Sequence, residues 1–168
     1  MTGASGLPKP DAAQALPHLA RRGFLLGGAA LLGAGGLGVA RWFNVLADPD
    51  AADALSAPEA HAQALSGAIT LVDIRRPDEW ARTGVPEGGL PLDMRRADFT
   101  EVLLAEVGAT GAPIALICAR GVRSRGLSAR LREAGFSRII DVPEGMLGSG
   151  AGPGWLARGL PVIQVSDQ

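Results

Sequence analysis

The chain has 168 residues, room for one ordinary domain and an appendage. Apolar residues at 47% and charged ones at 20% exclude a disordered polar tail, and a net charge of −1 excludes nucleic-acid binding driven by bulk charge. One cysteine and two histidines exclude a disulfide framework and a structural zinc site. Fifteen of the sixteen basic residues are arginine, with Lys9 the single lysine, so arginine as a residue type carries little information here.

From Gly23 to Ala40 the chain runs GFLLGGAALLGAGGLGVA without a charged residue, preceded by Arg21-Arg22 and followed by Arg41. Eighteen glycine-rich, moderately apolar residues barely span a bilayer, and the three-part layout is that of an export signal. Ala20-Arg21-Arg22-Gly23-Phe24-Leu25 resembles the core of a twin-arginine signal, which implies export of a folded protein to the periplasm. Gly38-Val39-Ala40 and Val45-Leu46-Ala47 both fit a peptidase site, and the second is preferred. An uncleaved membrane anchor and a buried glycine-rich helix are the alternatives. Cleavage after Ala47 separates a signal (1–47) from a mature domain (48–168). That domain carries twelve basic and sixteen acidic residues, a net charge of −4, and again no footprint for nucleic acid.

The mature stretch alternates two periodicities. Pro58–Leu65 reads as a short helix with proline near its start, and Ile69–Ile74 as a buried strand. Pro77–Ala81 reads as a helical turn, followed by Gly/Pro punctuation through Gly89 and a short strand at Leu90–Leu92. Asp98–Val107 is an amphipathic helix with Phe99, Val102, Leu103 and Val107 on one side. Pro113–Cys118 is a second buried strand, Arg123–Ala134 a patterned helix ended by Gly135, and Arg138–Val142 a further strand. Such alternation predicts an α/β fold with a mainly parallel central sheet flanked by helices.

Ligands bind beyond the carboxyl ends of parallel strands, and Cys118 stands at such an end. Cys118-Ala119-Arg120-Gly121-Val122-Arg123 leads straight into a helix, so its backbone N–H groups can form an anion nest at a helix N-terminus. Two arginines and the helix terminus favour thiolate over thiol, and thiolate is the nucleophile. A small buried core cysteine is the competing reading. His18 lies in the signal and His61 on the early helix, so no histidine stands ready as a base and a Cys–His protease loses its main requirement.

Three ordered segments resemble a single rhodanese domain over about residues 55–165. Leu71-Val72-Asp73-Ile74-Arg75-Arg76-Pro77-Asp78-Glu79-Trp80 resembles the early strand, Asp-x-Arg and Glu-aromatic signature. Cys118 through Ser124 resembles the active loop, Cys plus four residues plus Arg. Gly145-Met146 and Trp155 through Val162 resemble the closing turn and the Trp-x-x-x-Gly-x-Pro ending. The resemblance implies a sulfurtransferase needing neither cofactor nor metal. In it Cys118 takes a sulfane sulfur from a small anionic donor such as thiosulfate, and passes it as a persulfide to cyanide or a thiol. It further implies that N–H groups from Ala119 to Arg123 cradle the outer sulfur and that Arg120 projects a charge over the loop. Arg123 either closes the loop or forms a salt bridge orienting the first helical turn. Asp73 and Arg75 pair near the loop floor, while Trp80 and Trp155 are packing markers.

Two departures stand out. Many relatives carry Gly-His-Ile-Pro-Gly where this chain has Gly84-Val85-Pro86-Glu87-Gly88, and Leu147–Gly154 is longer than the usual turn. That longer segment is a flexible surface loop or an altered rim for a larger donor or acceptor. Rhodanese-fold phosphatases have a loop one residue longer, so four residues between Cys118 and Arg123 favour sulfur. A persulfide carrier docking to a partner protein is the non-turnover alternative.

Overall fold

The computed structural model describes residues 54–165; the expected signal and its cleavage sites lie outside the described residues. A four-stranded sheet organises this part: β1 (Thr70–Asp73), β3 (Gly89–Pro91), β4 (Ile114–Ile117) and β5 (Ile139–Asp141), in spatial order β3-β1-β4-β5. Every pairing is parallel, with Val72 opposite both Leu90 and Leu116, and Leu116 opposite Asp141. A parallel sheet must be covered on both faces, and the central strands read accordingly as apolar runs.

Alternate residues along these strands feed two cores. Val72, Ile74, Ile114, Leu116, Cys118 and Ile139 face α3 (Phe99–Val107) and α4 (Val122–Glu133), meeting Phe99, Leu103, Leu127 and Leu131. Leu71, Ala115 and Ile117 face α1 (Ala57–Leu65) and pack with Ala57, Ala60, Met146 and Trp155. The expected α/β architecture is therefore present, with helices on both sides of a parallel sheet. Ser56 starts α1 with a capping box, its N–H donating to the Glu59 carboxylate at 2.9 Å, and proline occupies the first turn where an N–H is dispensable.

α2 (Pro77–Thr83) runs two residues beyond the expected turn. The punctuated stretch after it holds β2 (Val85–Pro86), which pairs antiparallel with β6 (Val162–Ile163) in a separate ribbon that the sequence pattern did not show. Among the described residues no helix is long and apolar enough to cross a membrane.

Candidate active site

β4 ends at Ile117, and Cys118 opens the loop that enters α4 at Val122. Gly121 caps the helix at φ +76°, a left-handed conformation that a side chain disfavours. Its N–H donates to Cys118 Sγ at 3.1 Å. Ser124 Oγ lies 3.6 Å from the same sulfur and donates to the Gly121 carbonyl at 3.1 Å. The sulfur thus ends an apolar cluster but is met by a backbone donor and a hydroxyl at the positive end of a twelve-residue helix. Cys118 is only 1% exposed.

The backbone behind the loop is braced. Met146 N–H donates to the Cys118 carbonyl and Leu147 N–H to the Ala119 carbonyl, both at 2.9 Å. Such close approach requires glycine at Gly145, where a Cβ would lie 2.5 Å from the Ala119 oxygen. Buried Glu144 fastens this segment. It accepts from Ala57 N–H at 3.3 Å, Gly154 N–H at 3.1 Å and Arg158 at 2.7 and 3.0 Å. The glycine-rich stretch is consequently a folded turn: Ser149 and Gly152 bond reciprocally and the Ser149 hydroxyl holds the Pro143 carbonyl at 2.7 Å. Arg120 is exposed, yet its Nη1 donates to the Gly148 carbonyl at 3.2 Å, so the guanidinium is held against this turn.

Of the two roles open to Arg123, the geometry shows the salt bridge. Its Nη1 and Nη2 each donate to Glu79 at 2.7 Å, linking the first turn of α4 to α2. Glu79 also accepts the Arg76 N–H at 3.1 Å. Arg123 first, then the Arg76 N–H, hold the Glu79 carboxyl down to about 2 against the opposing effect of partial burial. Arg123, Glu79, Arg76, Met94 and Arg95 line a cavity of about 390 Å³.

Asp73 and Arg75 form a buried ion pair, with Nη2–Oδ2 at 2.6 Å. Arg75 spends its remaining donors on Thr83 Oγ1 at 2.7 Å and the Gly84 carbonyl at 2.6 Å. The pair therefore staples β1 to the end of α2. Trp155 is fully buried and its indole N–H reaches the Pro161 carbonyl at 2.9 Å, a packing role as expected. His61 bonds Glu87 at 2.9 Å and meets Trp155 edge-on, on the sheet face opposite Cys118.

The structure thus brings Cys118, Gly121, Ser124, Arg123 and Glu79 into one neighbourhood, with Ala119 and Arg120 fixed by the turn behind. Glu144 and Asp141 had no signal in the sequence. Asp141 is half-buried on the α4 side, its Oδ1 out of contact with water, and loss of hydration pushes its carboxyl up to about 6. Among the described residues, no group of three or more His, Cys, Asp or Glu could hold a metal ion.

Several solved structures share this fold. The polysulfide-sulfur transferase homodimer of Wolinella succinogenes is 24% identical, with a TM-score of 0.54, over 83% of this chain and 90% of that one. A rhodanese-like domain from Anabaena sp. is 18% identical, TM-score 0.54, over 67% and 80%. The thiosulfate sulfurtransferase of Pseudomonas aeruginosa is 19% identical, TM-score 0.54, over 69% of this chain but only 21% of its own length. No curated protein matches the chain. The family model of the rhodanese-like domain matches residues 56–148, from the cap of α1 through the turn that braces the Cys118 loop. That match spans more than half of the chain and contains both the Asp73–Arg75 staple and the cysteine loop, and the chain belongs to the rhodanese-like domain family.

Proposed function

We propose that this protein is a sulfurtransferase in which Cys118 carries the sulfur. The observation that carries the reading is the setting of the single cysteine: a strand-end sulfur taking the Gly121 N–H at 3.1 Å, within a rhodanese-like domain. The names of two similar structures, a polysulfide-sulfur transferase and a thiosulfate sulfurtransferase, support it. In the first half-reaction the Cys118 thiolate attacks the outer sulfur of thiosulfate. The S–S bond of the donor breaks, sulfite leaves with the electron pair, and Cys118 becomes a persulfide. Cyanide or a thiolate then attacks the outer persulfide sulfur, and the Cys118 thiolate leaves.

Geometry bears on the donor. With Cys118 at 1% exposure, a slender terminal sulfur is the part of a donor that reaches Sγ with least displacement of the loop. Arg76, Arg95 and Arg123 line the cavity at the Arg123–Glu79 pair, but each is paired with a carboxylate, Asp78, Asp93 and Glu79 respectively. Their field is partly neutralised, which suits passage of a small anion better than tight retention. Thiocyanate formation from thiosulfate and cyanide tests the proposal. Wild-type protein is expected to turn over by ping-pong kinetics and Cys118→Ser not at all, since a hydroxyl forms no persulfide. Equal rates in the two proteins would overturn it.

A further inference from the structure

Glu144 is a carboxylate with almost no access to water, 2% exposed, and sulfur transfer gives it no task. Each of its oxygens accepts two hydrogen bonds. Oε1 takes the Ala57 N–H at 3.3 Å and Arg158 Nη2 at 3.0 Å, and Oε2 takes the Gly154 N–H at 3.1 Å and Arg158 Nε at 2.7 Å. Burial removes the water that would otherwise serve such a group, so all four donors matter. Arg158 supplies two of them and the opposite charge.

The effect reaches the Cys118 loop through backbone alone. Residues 145–147 run between that loop and residues 154–156. On one side Trp155 N–H donates to the Gly145 carbonyl at 2.9 Å and Leu156 N–H to the Met146 carbonyl at 3.1 Å. On the other, Met146 and Leu147 N–H groups hold the Cys118 and Ala119 carbonyls at 2.9 Å. In a trans peptide the N–H and C=O point in opposite directions, so fixing these carbonyls turns the Ala119 and Arg120 N–H groups away from the turn. Gly121 N–H, next in the series, reaches Sγ at 3.1 Å. Successive N–H groups of this kind, at a helix N-terminus, hold anions.

We propose that the Glu144–Arg158 pair is the positioning element for this run of donors, and that it sets how well the loop holds the charged outer sulfur of the Cys118 persulfide. The inference rests on the sulfur transfer proposed above. Loading moves one negative charge from Sγ to the outer sulfur, as sulfite leaves with the electron pair of the donor's S–S bond. Gly121 N–H serves Sγ, and the Ala119 and Arg120 N–H groups serve the sulfur one bond beyond. Without Arg158 the buried carboxylate keeps two donors. The turn must then open to water to serve it, which releases the two loop carbonyls.

The test is the loading equilibrium. Intact mass gives the fraction of protein bearing one extra sulfur, at fixed pH, over a series of thiosulfate-to-sulfite ratios. Arg158→Met keeps an apolar stem and removes the charge. It should need a ratio about two- to tenfold above wild type for half-loading, the worth of one hydrogen bond. Arg158→Lys, with one ammonium in place of a bidentate fork, should fall between the two. Gly145→Ala puts a methyl 2.5 Å from the Ala119 oxygen, pushes the same peptide directly and should shift the ratio at least as far. Leu103→Val, on α3, should lower the urea midpoint and leave the ratio unmoved, since lost stability alone does not change what a folded loop prefers. An unchanged ratio for Arg158→Met, or an equal shift in Leu103→Val, would overturn the proposal. If Arg158→Met does not fold, Arg158→Lys decides alone: loading identical to wild type overturns the pairing. A wild-type chain that takes no sulfur would sink the sulfurtransferase reading instead. Hydrogen exchange at the Met146 and Leu147 amides then decides the brace, faster exchange in Arg158→Met sustaining it and equal exchange overturning it.

Discussion

Two neighbouring residues of α4 look in opposite directions, and each side holds a carboxyl group. Arg123 turns toward α2 and is gripped by Glu79, whereas Ser124 is buried on the side of the sheet where β5 carries Asp141. Both acids have lost water, yet they are displaced in opposite senses, Glu79 down to about 2 and Asp141 up to about 6. The contrast lies in satisfaction rather than in burial alone. Glu79 accepts two guanidinium hydrogen bonds and a backbone N–H, while Asp141 has an oxygen with no partner. Charge-assisted bidentate pairing outweighs desolvation on one side of the loop, and desolvation prevails on the other.

The comparison breaks most visibly if the bidentate grip is removed. Arg123→Ala strands a partly buried Glu79 and unties α4 from α2, so thiocyanate formation should fall by about ten- to a hundredfold and stability by about 1–3 kcal/mol. Arg123→Lys should rescue little, because a single ammonium cannot supply two parallel N–H bonds. Glu79→Gln combined with Arg123→Ala should lose less stability than the two single losses summed, as measured by urea unfolding; strict additivity would mean that the two residues do not act as a pair.

Next in size is the pH dependence of stability, where the two acids act in different windows. The Glu79 pKa is lowered in the fold, so its contribution is present above about 4.5 and is lost as pH falls toward about 2. The Asp141 pKa is raised, so the folded state holds its proton more tightly. Stability therefore falls as pH rises from about 3.8 through about 6. Asp141→Asn should remove this fall and gain up to about 3 kcal/mol relative to wild type above the upper limit. Glu79→Gln should instead flatten the acid limb. Urea midpoints across pH for the three proteins would show the two windows; a single shared window would erase the distinction drawn between the acids.

The smallest effect belongs to Arg120, which bonds Gly148 and is exposed. Arg120→Ala should weaken thiosulfate use about two- to fivefold with little change for thiol acceptors. Its donor use should also depend less on ionic strength, since screening already weakens an exposed charge. Equal salt dependence in variant and wild type would remove Arg120 from donor recognition.

What the sequence showed and what it concealed follow one physical division. Runs such as Ile114–Ile117 announce a doubly buried strand by composition, and the Gly121 turn into α4 is a local feature, so the sheet and the Cys118 loop were legible. β2 and β6 were not, because strands of two residues carry no periodicity and Val-Pro reads as punctuation. Residues whose roles depend on distant partners were also silent. Glu79 finds Arg123 across 44 positions and Glu144 finds Ala57 across 87, separations that no local spacing encodes. The Leu147–Gly154 stretch resembled a flexible loop for the same reason, since Glu144 and the loop backbone that anchor it are packing partners brought together only by the fold.

Sulfur transfer through Cys118 requires one sulfur to become bonded to one cysteine, and the mass of the intact protein reads that directly. After thiosulfate treatment and removal of excess donor, the wild-type chain should be heavier by one sulfur atom, and subsequent cyanide should return it to its starting mass. Cys118→Ser should stay at its own starting mass throughout. A wild-type chain that gains nothing from thiosulfate, or a Cys118→Ser chain that gains a sulfur, would contradict the account.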